Sequence, residues 1–156
     1  MMVHSRIGSL VSLFSILFAI DRVSKLWALH HLAHNVITLL PFAHLELVIN
    51  KGISWGLLNY DAGWMYHAIT LMIAIIIIGL TVSVVKRYIY HPVWPEVLVL
   101  AGAVSNLIDR LYYHGVIDFI SLSYNSWSFP VFNIADCYIV VGVLIMAYYS
   151  LVNAHE

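Results

Sequence analysis

Residues 62–85 read AGWMYHAITLMIAIIIIGLTVSVV and close on Lys86-Arg87, with no Asp, Glu, Lys or Arg inside the run. A helix needs about 20 mostly apolar residues to cross a hydrocarbon core of about 30 Å, and this stretch meets that length. The rest of the chain agrees with a lipid setting. Of 156 residues, 62% are apolar and only 10% charged, and mean hydropathy is +0.90. A soluble domain averages about 45–50% apolar and about 25% charged. The excess is too large for one water-soluble core, and it excludes a disordered chain. The formal charge is −1, so no basic surface suggests a nucleic-acid partner. A single cysteine, Cys137, cannot staple the chain to itself.

Three further apolar stretches flank this one, giving spans at about 7–27, 62–85, 96–111 and 133–152 in a single membrane-embedded domain, 1–156. The first has the basic start of a signal peptide but no small-x-small cleavage site before Asp21, so it is expected to be retained. Consecutive spans alternate in direction. The end of the first, the end of the third and the start of the fourth therefore share one face, and Asp21, Asp109 and Asp136 fall at those three places. Arg6 and Lys86-Arg87 flank spans on the opposite face, which the positive-inside rule puts in the cytoplasm together with both termini. Aromatic residues, Trp27, Trp55, Trp64 and Trp127 among them, are expected to edge the outer boundary. On that side residues 44–50 partly alternate, with Leu45, Leu47 and Ile49 on one side, as in a half-buried strand ended by Gly52 and Gly56.

Charges at membrane depth cost several kcal/mol and mark reaction centres or ion paths. Asp21 and Lys25 stand at i and i+4, the spacing of a helical ion pair. Asn106, Asp109 and Arg110 share one helical side, and the small residues Ala101, Gly102, Ala103 and Ser105 just before them permit close approach of another helix. Asp118 lies within the apolar run 116–120, where desolvation favours the neutral acid. Asn133 is a favoured helix N-cap with an acid three residues on, which places Asp136 in a first turn that favours an anion. Bland readings exist for each: an interfacial anchor, helix packing, a surface strand with one outward Asp, a cap. No Gly-x-Ser-x-Gly elbow, no His-Glu-x-x-His pair and no phosphate-cradling glycine loop is present, and the nine histidines are scattered. Neither a metal nor a cofactor is expected. Two aspartates sharing a proton can act as base and acid on water and substrate. A proton- or cation-coupled carrier with carboxylates in a cavity, and a non-catalytic assembly factor, are the alternatives.

Five ordered motifs resemble the lipoprotein signal peptidase (signal peptidase II) family. They are Asp21-Arg22-Val23-Ser24-Lys25, Asn50-Lys51-Gly52-Ile53-Ser54-Trp55-Gly56, residues 102–110, Val116-Ile117-Asp118-Phe119 and Phe132-Asn133-Ile134-Ala135-Asp136. The resemblance implies an all-α, four-span intramembrane aspartyl endopeptidase of the bacterial inner membrane with a small β element on its outer face. Its partners would be membrane lipids and diacylglyceryl-modified prolipoproteins, cut just before the lipid-bearing Cys of the substrate. It makes Asp118 and Asp136 the catalytic pair. Asn50, Gly52, Asn106, Asp109, Arg110, Asn133 and Ala135 would line or order the site, with Asp21 in support. One departure is the bulk of Ile53, Ser54 and Trp55, where the family is commonly richer in alanine.

Overall fold

Helix α1 (Met2–His31) carries the first apolar stretch unbroken past Asp21 and Lys25 for 30 residues. The structure, a computed structural model, describes residues 2–52 and 63–153. The turn expected at Gly56, the bulk at Ile53, Ser54 and Trp55, and the interfacial place of Trp55 lie outside the described residues. After α1 the chain forms the hairpin β1 (Ile37–Leu40) and β2 (Ala43–Asn50). It continues through helices α2 (Gly63–Arg87) and α3 (Trp94–Tyr113), strands β3 (Val116–Tyr124) and β4 (Trp127–Ser128), and helix α4 (Ile134–Asn153).

Three of these helices are long and apolar enough to cross a membrane: Ser5–His31, Trp64–Arg87 and Ile134–Val152. The isoleucine-rich run of α2 contains β-branched residues that favour strands in water. In lipid, a lone segment must satisfy its own backbone, so it is helical. Its threonines also bond inward: the Thr70 and Thr81 hydroxyls donate to the Tyr66 and Ile77 carbonyls at 2.8 and 2.7 Å. The stretch expected as a span at 96–111 is the 20-residue α3. It carries Glu96, Asp109 and Arg110, all buried, and touches α1, α2 and α4. Pro95 stands in its first turn, where a missing N–H costs nothing, and His114 ends it in the left-handed region at φ 55°.

The small residues of α3 do what their size suggests. A Cβ on Gly102 would lie 2.5 Å from the Ala135 carbonyl oxygen, and one on Gly142 would lie 2.7 Å from the Pro95 carbonyl oxygen. The α3 and α4 backbones therefore meet at two levels, in the way small residues allow between membrane helices.

The sheet runs β1-β2-β3-β4, all neighbours antiparallel. Leu45 and Leu47 pack with Ile120 and Ile134 against Ala28, Leu32 and Phe119, which seats the sheet on α1 and α4. The alternation expected over residues 44–50 does not persist to Ile49. Leu45 pairs with Ile120 but Val48 pairs with Asp118, so β2 bulges between them. An extra residue in one strand shifts the faces of those that follow, and Ile49 is 37% exposed. The same bulge leaves Val48 and Asn50 opposite Asp118 and Val116.

Candidate active site

Five elements deliver their polar residues to one place: the second half of α1, the end of α3, the paired strands β2 and β3, and the first turn of α4. The start of α4 shows why its sequence reads as it does. A helix leaves its first N–H groups without partners. The Asn133 side-chain oxygen accepts from the Asp136 N–H at 3.0 Å, and an Asp136 carboxylate oxygen accepts from the Asn133 N–H at 3.1 Å. This is the reciprocal capping box expected from the sequence. The Ala135 N–H is taken by Asp21 at 2.8 Å, so an aspartate from α1 completes the turn. Ala135 is wholly buried.

Asn133 has a second role in its other amide atom. Its Nδ2 donates to Asp118 Oδ1 at 2.6 Å and to Asn106 Oδ1 at 3.2 Å. Asn106 in turn donates to Asp136 Oδ1 at 2.8 Å. A strand aspartate and a helix aspartate thus converge on one pair of amides. From the opposite side, Asn50 Nδ2 donates to Asp118 Oδ2 at 2.8 Å while its Oδ1 accepts the Gly52 N–H at 2.8 Å. That local turn orients the Asn50 amide toward Asp118. Gly52 sits at φ 83°, a conformation that favours glycine, and a Cβ there would lie 2.8 Å from the Arg110 guanidinium, which would have to move aside.

Beneath the two aspartates lies a buried ionic layer. Lys25 Nζ lies 2.9 Å from Asp21 Oδ2 and 2.8 Å from Asp109 Oδ2, and it donates to Asn106 Oδ1 at 2.6 Å. Arg22 pairs with the other Asp109 oxygen. Ser105 donates to Asp21 at 2.6 Å, and Asp109 accepts the Ile117 N–H at 3.3 Å, next to Asp118 in β3. Lys25, Asp21 and Asp109 are completely shielded from solvent. Such a layer holds only where every charge is paired and hydrogen-bonded.

All ten residues singled out in the sequence fall in this region. Asp21, Asn50, Gly52, Asn106, Asp109, Asp118, Asn133, Ala135 and Asp136 belong to the hydrogen-bonded network. Arg110 adjoins it differently. Asn106 and Asp109 meet Lys25, but Arg110 turns toward Gly52 and stacks on Tyr66, its Cζ 5.8 Å from the ring centroid. Tyr66 also bonds the Arg110 carbonyl through its hydroxyl. The expected single polar side of α3 is therefore divided, because α1 and α2 flank its two edges. Lys25, Arg22, Ser105 and Tyr66 were not among the expected site residues. The Asp21–Lys25 spacing was the available signal for Lys25; nothing local marks Tyr66, which reaches Arg110 only through the fold.

Burial raises the Asp118 carboxyl from its ordinary 3.8 to about 6, against the lowering effect of the Asn50 hydrogen bond and with a further push from Asp136. Among the described residues no group of His, Cys, Asp and Glu is arranged to hold a metal ion.

The comparisons with known proteins bear on the chain as a whole. A family model for signal peptidase (SPase) II matches residues 13–152. A lipoprotein signal peptidase of Pelagibacter ubique is 36% identical over 82% of this chain and 78% of its own length. One from Burkholderia mallei is 35% identical over 90% and 85%. Two solved structures, both described as bacterial membrane enzymes obtained by the in meso method, superpose with TM-scores of 0.75 and 0.73. They are 26% and 27% identical and cover 95% and 93% of this chain, and 90% and 94% of their own. Nothing in these comparisons supports a carrier. The chain is a bacterial membrane protein and a protease by descent: it belongs to the signal peptidase II family.

Proposed function

We propose that Asp118 and Asp136 are the catalytic pair of an aspartyl endopeptidase that removes signal peptides from diacylglyceryl-modified prolipoproteins, cutting just before the lipid-bearing Cys. The observation that carries this reading is the Asn133 bridge, which bonds Asp118 through its side chain and Asp136 through its backbone N–H. It gives two carboxylates on different elements a common anchor. Arg22 and Lys25 pair with Asp21 and Asp109 beneath, and the two aspartates of the pair hold one proton between them. The raised Asp118 and the place of Asp136 in a helix first turn divide the labour.

In this scheme Asp136 takes a proton from water, whose oxygen attacks the scissile carbonyl carbon as Asp118 gives its proton to the carbonyl oxygen. When the C–N bond breaks, Asp136 returns a proton to the leaving nitrogen. Asp118 recovers one from the hydroxyl that becomes part of the new carboxyl group. The pair again holds one proton. Asn50, Asn106 and Asn133 orient the carboxylates; Asp21, Asp109 and Lys25 hold the elements that carry them. Gly52 and Arg110 lie beside the pair, where a substrate backbone would pass.

The reading includes a single domain, 1–156, in the bacterial inner membrane, with α3 as a fourth crossing and the aspartates near the outer face. Residues 22–61 and 110–134 are then outside, with both termini and the 86–95 connector in the cytoplasm. Reagents confined to the outside should fail to label His91→Cys in a Cys137→Ser background; labelling reverses the orientation. The decisive assay incubates the purified protein in lipid with a lipidated prolipoprotein and identifies products by mass spectrometry. A new N-terminus at the lipid-bearing Cys is expected. No cleavage, or equal cleavage by Asp118→Asn, overturns the assignment.

A further inference from the structure

At the end of the molecule away from the aspartates, a cavity of about 260 Å³ opens between the start of α1 and the connector that joins α2 to α3. It is several times larger than the roughly 30 Å³ share of one liquid water. Ser5, Arg6, Ser9, Tyr88, His91 and Trp94 supply its polar and aromatic lining. The Arg6 guanidinium donates through Nη1 to the Ile89 carbonyl at 2.7 Å, which ties α1 to the connector and holds the charge at the cavity. Lys86 and Arg87 follow closely in the chain, and the only acid among residues 84–98 is Glu96, already engaged by Arg87 at 3.0 Å.

Depth identifies the ligand. The span Ser5–His31 begins, and the span Trp64–Arg87 ends, at this cavity, so it opens where hydrocarbon gives way to headgroups, whichever way the protein faces. On the neighbouring turns of α1, at the end of α2 and in the connector, Ile7, Val11, Val85 and Ile89 are exposed apolar residues, from 40% to 63%. A cavity at that level whose mostly apolar lining, with Leu10, Val93 and Trp94 in it, carries one guanidinium and two serines matches a phosphate-bearing headgroup with the start of its acyl chains. We propose that this cavity binds one acidic phospholipid, its phosphate against Arg6 and the Ser5 hydroxyl, beside Ser9, whose own hydroxyl donates to the Ser5 carbonyl at 3.0 Å. The proposal is independent of the peptidase assignment.

Native mass spectrometry of the full chain, released from detergent with either phosphatidylglycerol or phosphatidylcholine of equal acyl length, tests it. The protein should retain one phosphatidylglycerol in preference to phosphatidylcholine. Arg6→Gln should cut that retention about five-fold or more, from the loss of one basic contact at a membrane surface. Lys86→Gln, a nearby charge that does not line the cavity, should leave it unchanged. Equal retention of both lipids, an unaffected Arg6→Gln, or an equal loss in Lys86→Gln overturns the site. Displacement of the lipid by inorganic phosphate would instead assign the cavity to a free anion. Should Arg6→Gln not fold, Ser9→Leu, which fills the cavity, carries the same expectation.

Discussion

Helices α2 and α3 are consecutive in the chain and packed against each other, yet they solve opposite problems. In the apolar window of α2 no residue is buried within the protein. Ile75, Ile76 and Ile78 face outward, and much of the helix depends on its own hydrogen bonds and on surrounding hydrocarbon. Helix α3 is buried from Pro95 to Arg110 along the side that meets α1 and α4, and it carries Asn106, Asp109 and Arg110 into the polar cluster. Hydropathy announces α2 and understates α3. A membrane enzyme needs both kinds: lipid-facing helices that exclude water, and one surrounded helix that can carry charge because its neighbours satisfy that charge.

The sharpest way to break this contrast is to change charge where it converges and bulk where it does not matter. Asp118→Asn and Asp136→Asn should each lower cleavage of a lipidated prolipoprotein by about a hundred- to ten-thousand-fold, the range for losing an acid or base. Circular dichroism and melting temperature should stay near wild type. Ile75→Leu in the outward face of α2 should cleave normally. Substantial cleavage by either aspartate variant would remove the pair from the mechanism.

Next in size is the ionic layer. Lys25→Met leaves the buried Asp21 and Asp109 without their shared cation, and breaking a buried pair from one side costs about 3–5 kcal/mol. Thermal unfolding in detergent should show a large drop. Lys86→Met at the exposed end of α2 should show little. If the two variants melt alike, Lys25 is not what holds the α3 charge to α1, and Arg22 alone would carry that contact.

How far the sequence reveals this arrangement depends on the range of the interaction. The lipid-facing helices are legible because apolar length is a local property. The α4 cap is legible because Asn133 and Asp136 lie within one turn. The Asp21–Lys25 pair is legible for the same reason. The bulge in β2 is not, since it depends on how β3 registers against it and moves Ile49 off the face shared by Leu45 and Leu47. Nor is the Tyr66–Arg110 contact, 44 residues apart, nor the convergence of Asn133 with Asn106 and Asp118. The motifs name the parts of the site, and only packing shows that one asparagine joins them.

A third test compares glycines. Gly102→Ala places a Cβ on the Ala135 carbonyl oxygen, a backbone atom that moves only if α4 moves. Overpacking of that kind costs about 1–3 kcal/mol. Cleavage should fall with stability, because Ala135 adjoins Asp136. Gly79 of α2 has nothing within 4 Å, so Gly79→Ala should melt at or slightly above wild type. Equal destabilisation by both would mean that α3 and α4 do not meet closely at Gly102.

The smallest expected effect is a shift along the pH axis, and it reads the electrostatics of the pair directly. Asp118 is raised to about 6, chiefly by burial, and the hydrogen bond from Asn50 holds it lower than burial alone would. A donor to a carboxylate favours the charged form, so removing it raises the carboxyl further. If Asp118 must carry a proton to act as the acid, the alkaline limb of kcat/KM marks its loss, and Asn50→Ala should move that limb to higher pH. The stability that Asp118 contributes follows the same sign. It is fully present below the ordinary carboxylate value of 3.8 and is lost as pH rises through about 6. Substitution in α2, such as Ile75→Leu, should leave the limb in place. An Asn50→Ala limb that moves to lower pH would show that the group titrating there is not Asp118, and the acid of the pair would have to be sought on α4.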